Sequence, residues 1–136
     1  MKKIRYKAGY KYQLVEDYLA SIAIYPNEHI KTPWIELTAA GLLTIKAGYA
    51  WDGPSGPAID TRNFMRGSLV HDALYQLIRE DHLTQVNRED ADKTLYLICL
   101  EDGMSAFRAE CVYETVRVFG RSSASPNHDS TVLEAP

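Results

Sequence analysis

The stretch from Gly48 to Tyr75 constrains this chain more than any other. It reads Gly48-Tyr49-Ala50-Trp51-Asp52-Gly53-Pro54-Ser55-Gly56-Pro57-Ala58-Ile59-Asp60, continues Thr61-Arg62-Asn63-Phe64-Met65-Arg66-Gly67-Ser68-Leu69-Val70, and closes on His71-Asp72-Ala73-Leu74-Tyr75. The first part has no hydrophobic period, and Pro54 and Pro57 fix φ, so it is a stiff loop. Asp60 or Thr61 can cap the next helix. From Phe64 to Arg79 the positions Phe64, Ser68, His71, Tyr75 and Ile78 recur in steps of three and four, which predicts one face of that helix. His71 and Tyr75 are then neighbours one turn apart on the core side. Asp72 lies about a hundred degrees round, toward the loop, with Gln76 and Arg79 beside it.

The chain before this stretch is β-rich. Lys11–Val15, Tyr18–Tyr25, Trp34–Thr38 and Leu42–Lys46 carry strand-type residues. Ala39-Ala40-Gly41 is a three-residue hairpin connection in which Gly41 is free to turn left-handed. The chain after it is helical. Asn87 suits an N-cap, and Glu89 and Asp90 suit a first turn. Asp92, Leu95, Tyr96 and Cys99 form the inward stripe of a second helix, with an acid where an apolar residue belongs. Gly103 ends that helix. Ser105 starts a third, with Phe107, Cys111, Val112, Val116 and Phe119 as its apolar positions and Gly120 as its end. The expected fold is α+β: N-terminal β-hairpins packed on three C-terminal helices in a single domain over residues 1–120. Residues 121–136 lack periodicity and are expected to be a disordered tail.

Composition narrows the function classes. With 136 residues the chain suits one domain with a core of its own, and 46% hydrophobic and 24% charged residues are ordinary for a globular protein. A net charge of -3 gives no basic stripe for nucleic acid. No apolar run is long enough to span a membrane, and the basic start Met1–Lys7 lacks the apolar segment of a signal peptide. Cys99 and Cys111 are expected as buried free thiols in a reducing compartment.

The chemistry-bearing residues lie on two helices. A short connector favours antiparallel packing, which brings Asp92 within reach of His71. A carboxylate on one imidazole nitrogen fixes the tautomer and frees the other nitrogen to take a proton from water. Tyr75 can donate its hydroxyl to Asp92. Asp72, with backbone carbonyls of Trp51, Gly53 and Ser55 turned inward by the loop, has the oxygen donors that a hard cation such as calcium takes. Such an ion would sit next to the His71-activated water and polarise an ester carbonyl.

Two families share patterns with these residues. Gly48-Tyr49 with Asp52, then His71-Asp72-Ala73-Leu74-Tyr75, Ala91-Asp92 and Val116-Arg117-Val118-Phe119-Gly120, in this order over roughly residues 12–120, resemble a family of small phage and prophage proteins of uncharacterised function. That resemblance implies an origin in the infected bacterium's cytoplasm or in the virion, and no activity. Trp51-Asp52-Gly53-Pro54-Ser55-Gly56 followed by His71-Asp72-Ala73-Leu74-Tyr75 is similar to the calcium loop and active-site helix of secreted phospholipases A2. It implies His71 as general base, Asp92 as its orienting partner, and Tyr75 as a supporting hydroxyl. It also implies Asp72 and the Trp51, Gly53 and Ser55 carbonyls as calcium ligands, with a lipid or other ester as substrate. Asp52 and Leu74 stand where that family has half-cystines, and Ser55 stands in place of a loop glycine.

Other chemistries are poorly served. A His-Asp phosphohydrolase needs further helical histidines, whereas His29, His82 and His128 fall on a turn, a connector and the tail. The cysteines lack zinc-ligand spacing, and neither Ser55 nor Ser68 sits in a nucleophile motif. Two readings remain. One is a phage-type, calcium-dependent ester hydrolase. The other is a non-catalytic virion, tail-associated or host-interaction protein in which His71, Tyr75 and Asp92 form a buried structural network.

Overall fold

The computed structural model describes residues 4, 6–7, 12–51 and 62–124. Seven short strands precede three helices among them: β1 (Tyr6–Lys7), β2 (Tyr12–Leu14), β3 (Tyr18–Ser21), β4 (Ile30–Lys31), β5 (Ile35–Leu37), β6 (Leu42–Ile45), β7 (Ala50–Trp51), α1 (Arg62–Arg79), α2 (Asn87–Glu101) and α3 (Ala106–Ser123). The α+β architecture expected from the sequence is the one found.

The strands form two antiparallel sheets, ordered β1-β2-β7 and β3-β6-β5-β4. In the larger sheet Tyr18 and Ile35 both lie opposite Ile45, and Leu37 lies opposite Leu43. All five are buried. Their neighbours Leu19, Glu36 and Thr44 turn to the other face, because side chains alternate along a strand. The 39–41 connection forms as expected. Gly41 takes φ +90°, and a Cβ there would come within 2.4 Å of the Ile22 carbonyl oxygen. The third strand is shorter than the sequence suggests. Ser21 opposite Leu42 is the last pair, and the Ile22 N–H bonds the Gly41 carbonyl at 2.8 Å instead. Beyond Ser21 the chain faces the hairpin turn and has no strand to pair with among the described residues.

Helix α1 is the centre of the molecule. Thirteen of its 18 residues are buried. Met65, Leu69, Val70, Ala73, Leu74, Leu77 and Ile78 share one core with the inner face of the large sheet. Phe64 joins a second cluster with Leu95, Cys99, Met104 and Ala109 from α2, α3 and their connector. At the C-terminal end of α1, Asp81 takes φ 65°, a left-handed conformation that Asp tolerates better than most residues. The return is short, so α2 packs antiparallel: Arg66 meets Asp102, and His71 meets Asp92.

Four helix-level expectations need correction. Asn87 is the first residue of α2 and not its cap; its side chain accepts the Thr84 N–H at 3.1 Å, closing the turn before the helix. Phe107 is 80% exposed and Cys111 is also exposed. The inward face of α3 is Ala109, Val112, Val116 and Gly120, offset from the larger apolar residues. Helix α3 does not stop at Gly120 but continues to Ser123. Ser105 does cap α3, accepting the Arg108 N–H at 3.2 Å. Of residues 121–136, expected as a disordered tail, 121–123 belong to α3 and 125–136 lie outside the described residues.

Candidate functional site

Asp92 is the focus of the helical half. Ala91 and Asp92 are both fully buried, so the first turns of α2 push a carboxylate into the gap between α1 and α3. Its Oδ1 lies 2.7 Å from His71 Nε2 and accepts the Tyr75 hydroxyl at 2.6 Å. Its Oδ2 accepts from the Arg117 guanidinium at 2.8 Å, and the Arg88 guanidinium stands at 3.7 Å. The i,i+4 spacing of His71 and Tyr75 brings both side chains onto one oxygen, with ring centroids 4.1 Å apart.

The charges follow from these contacts. Burial alone would raise the Asp92 carboxyl. The hydrogen bonds from His71 and Tyr75 and the bond from Arg117 outweigh it, and the group is held below the usual carboxylate range. Burial, then the neighbouring Asp92 carboxylate, pushes the Tyr75 phenol well above its ordinary value. An ionised carboxylate can only accept, so His71 Nε2 carries the hydrogen of that bond. In the neutral ring the lone pair is then left on Nδ1. Among the described residues Nδ1 has no hydrogen-bond partner. His71 is 8% exposed, so the ring just reaches the surface.

The sequence-predicted residues separate into two groups. His71, Asp92 and Tyr75 meet as expected. Gly53 and Ser55 lie outside the described residues. Trp51 is buried, and its indole N–H donates to Ser68 Oγ at 3.0 Å. Tyr49 donates its hydroxyl to Gln76 at 3.1 Å. Both residues that lead into the glycine-proline stretch are therefore pinned to α1. Asp72 is half-buried and already engaged in polar interaction. Among the described residues no group of three or more His, Cys, Asp or Glu could hold a metal ion.

Two arginines and a glycine belong to the site without having been expected there. Arg117 supplies the charge on Oδ2. Arg88 Nη1 donates to the carbonyls of Val116 and Arg117 at 3.3 and 3.4 Å, fixing the turn of α3 that carries Arg117. Gly120 lies against Tyr75: a Cβ there would stand 2.4 Å from the Tyr75 hydroxyl oxygen and 3.1 Å from two ring carbons. The signal was present in the sequence. Val116, Arg117 and Gly120 adjoin one another on a helical face, and Arg88 precedes Asp92 by one turn.

A second buried charge lies at the opposite end of α1. Arg66 is 5% exposed. It donates to both oxygens of Asp102 at 3.0 Å, to the Tyr18 hydroxyl at 2.9 Å and to Glu101. It ties the large sheet, α1 and the end of α2 together. Comparisons with family models, curated proteins and solved structures return no match for this chain. No helix of the described residues is long and apolar enough to cross a membrane.

Proposed function

We propose that the chain is a hydrolase in which His71, oriented by Asp92, activates water to cleave an ester. The observation that carries this reading is the 2.7 Å contact from Nε2 to a fully buried carboxylate, which leaves Nδ1 as the ring's basic atom. In the reaction the water oxygen bonds to the ester carbonyl carbon as its proton passes to Nδ1. The imidazolium then returns that proton to the departing alkoxide, giving an acid and an alcohol. Asp92 stabilises the transient imidazolium from the other side, and Tyr75 and Arg117 keep Asp92 in place. The phospholipase A2 resemblance makes a lipid ester the first substrate to try. It also makes calcium an added requirement, tested in the same assay.

The test is release of fatty acid from mixed lipid vesicles around neutral pH, with and without millimolar calcium. His71→Ala is expected to lower the rate by about 10²- to 10⁴-fold, the usual worth of a general base, while the circular dichroism spectrum is retained. Absence of release by the unaltered protein in every condition overturns the proposal.

One observation favours a second reading. Asp92 has no exposed surface and binds donors from α1 and α3, as a latch between helices would. A non-catalytic phage component using the cluster only for packing would lose thermal stability in His71→Ala and show no turnover before or after.

A further inference from the structure

The hydrolase reading rests on where the hydrogens sit, and two atoms of Asp92 decide that. Oδ1 serves His71 and Tyr75. Oδ2 faces α3, where among the described residues Arg117 is the one guanidinium within hydrogen-bond distance. Arg88, at 3.7 Å, holds the backbone carbonyls of Val116 and Arg117 with the same nitrogen. We propose that Arg117 is a positioning residue of the site: by occupying Oδ2 it keeps Asp92 ionised and accepting, and so keeps the His71 lone pair on Nδ1.

The argument is one of alternatives. Without Arg117, a full negative charge would remain on a carboxylate with no exposed surface and, among the described residues, no donor within hydrogen-bond distance of Oδ2. The charge would then rest on the His71 and Tyr75 bonds to Oδ1 and on Arg88 at 3.7 Å; burying a charge so thinly paired is costly, and the local relief is a proton. If the proton goes to Oδ1, where Nε2 stands 2.7 Å away to accept it, the new hydroxyl donates to Nε2, and the ring hydrogen moves to Nδ1. If it goes to the ring, both nitrogens carry hydrogen. Nδ1 loses its lone pair by either of these routes, although Arg117 never touches the reacting atoms; a proton that settles on Oδ2 instead leaves Nδ1 bare and overturns the proposal. The groups that face Asp92 are His71 and Tyr75 on α1, Arg88 on its own helix and Arg117 on α3. Of the groups hydrogen-bonded to Asp92, Arg117 is the one that touches neither the ring nor Oδ1.

The proposal deepens the hydrolase reading, and its test separates the two. Full-length protein labelled with ¹⁵N-histidine is studied by long-range proton–nitrogen correlation. In the unaltered protein His71 is expected to show a hydrogen on Nε2 and a bare, pyridine-like Nδ1. In Arg117→Gln the pyridine-like Nδ1 signal is expected to vanish, and Arg117→Lys, which restores a point charge, is expected to recover it in part. Kinetically, Arg117→Gln should lower kcat by about 10²- to 10⁴-fold, the range for losing a general base, with KM little changed. An unaltered protein whose Nδ1 already carries hydrogen overturns the proposal, even where Arg117→Gln fails to fold. A folded Arg117→Gln that keeps a bare Nδ1 overturns it too. Loss of the signal in Arg117→Gln, with no ester hydrolysis by the unaltered protein, leaves the role of Arg117 standing and removes the hydrolase.

Discussion

Helix α1 carries a polar cluster at each end, and the two are built on opposite plans. At its N-terminal end the buried group is a cation, Arg66, and its partners reach water: the Asp102 side chain is 14% exposed and that of Glu101 is 52% exposed. Toward its C-terminal end the buried group is an anion, Asp92, with no exposed side chain, and its partner side chains are 10% exposed in His71 and 29% in Arg117. A planar guanidinium with five donors is satisfied by acceptors spread in one plane, and Tyr18, Glu101 and Asp102 supply them. A carboxylate is satisfied by donors, and one of its donors here is a histidine with a second nitrogen. The Arg66 cluster joins sheet to helix. The Asp92 cluster joins three helices and leaves a lone pair with no partner among the described residues. Burial of charge is common to both, so it cannot by itself carry the proposed function; the nitrogen without a partner among the described residues carries it.

The largest expected effect comes from the anion. Asp92→Ala leaves His71, Tyr75 and Arg117 without their shared acceptor and should cost about 3–5 kcal/mol, the range for breaking a buried pair. Asp92→Asn should be nearly as damaging despite its shape. An amide has one accepting end and one donating end, so its NH₂ must oppose either Arg117 or the His71–Tyr75 pair. Urea denaturation of both variants measures this. A midpoint for Asp92→Asn close to that of the unaltered protein would mean that the donors are not all present.

Arg66→Met should be the milder change. Asp102 and Glu101 can turn to water, and the loss is closer to that of one charged hydrogen bond, about 1.5–3 kcal/mol. Its effect on ester hydrolysis should be small, because His71 lies more than a helical turn away on α1. If Arg66→Met destabilises as much as Asp92→Ala, the distinction between the two clusters fails. Gly120→Ala is the steric counterpart on the other side. Its methyl would displace a Tyr75 that is 3% exposed and bonded to Asp92, an overpacking cost of about 1–3 kcal/mol. The same denaturation curve reports it.

These predictions also show what could be read from the chain alone. The pairing of His71 with Asp92 was legible because a four-residue step, a short connector and an acid in an apolar stripe all point to one place. The glycine hairpin and the Ser105 cap were legible from local chemistry. Arg117 was not, because the apolar residues of its helix lie on two faces: Val112 and Val116 pack inward as expected, whereas Phe107 and Cys111 are exposed. The helix also packs through Ala109 and Gly120, whose small size lets α3 approach α1 and α2. The same close approach carries α3 through Gly120, where a glycine reads as a stop. Arg66 was missed because a single arginine in a run of buried residues reveals its partners only once the sheet and the end of α2 are placed.

The smallest effects separate the clusters by pH. Asp92 is depressed in the folded state. Its contribution to stability is therefore complete above the unfolded value of about 4 and is lost as pH falls through the lower folded value. Burial raises Tyr75 and Tyr18, in Tyr75 with help from Asp92 and in Tyr18 against the pull of Arg66. Their contributions are complete below the ordinary phenol value of about 10 and fade as pH rises beyond it. Tyr75→Phe removes a donor from a buried anion, and Tyr18→Phe removes an acceptor from a buried cation; each should cost about 0.5–1.5 kcal/mol at neutral pH. The alkaline limb should respond unequally. The larger charged influence on Tyr75 is the Asp92 carboxylate, with Arg88 opposing it, and that on Tyr18 is the Arg66 guanidinium, with Asp102 and Glu101 opposing it, so Tyr75→Phe should flatten the alkaline fall in Tm more than Tyr18→Phe does. Melting curves on the two variants across the alkaline range measure the difference. Equal flattening would show that burial alone, and not the sign of the neighbouring charge, sets these phenols.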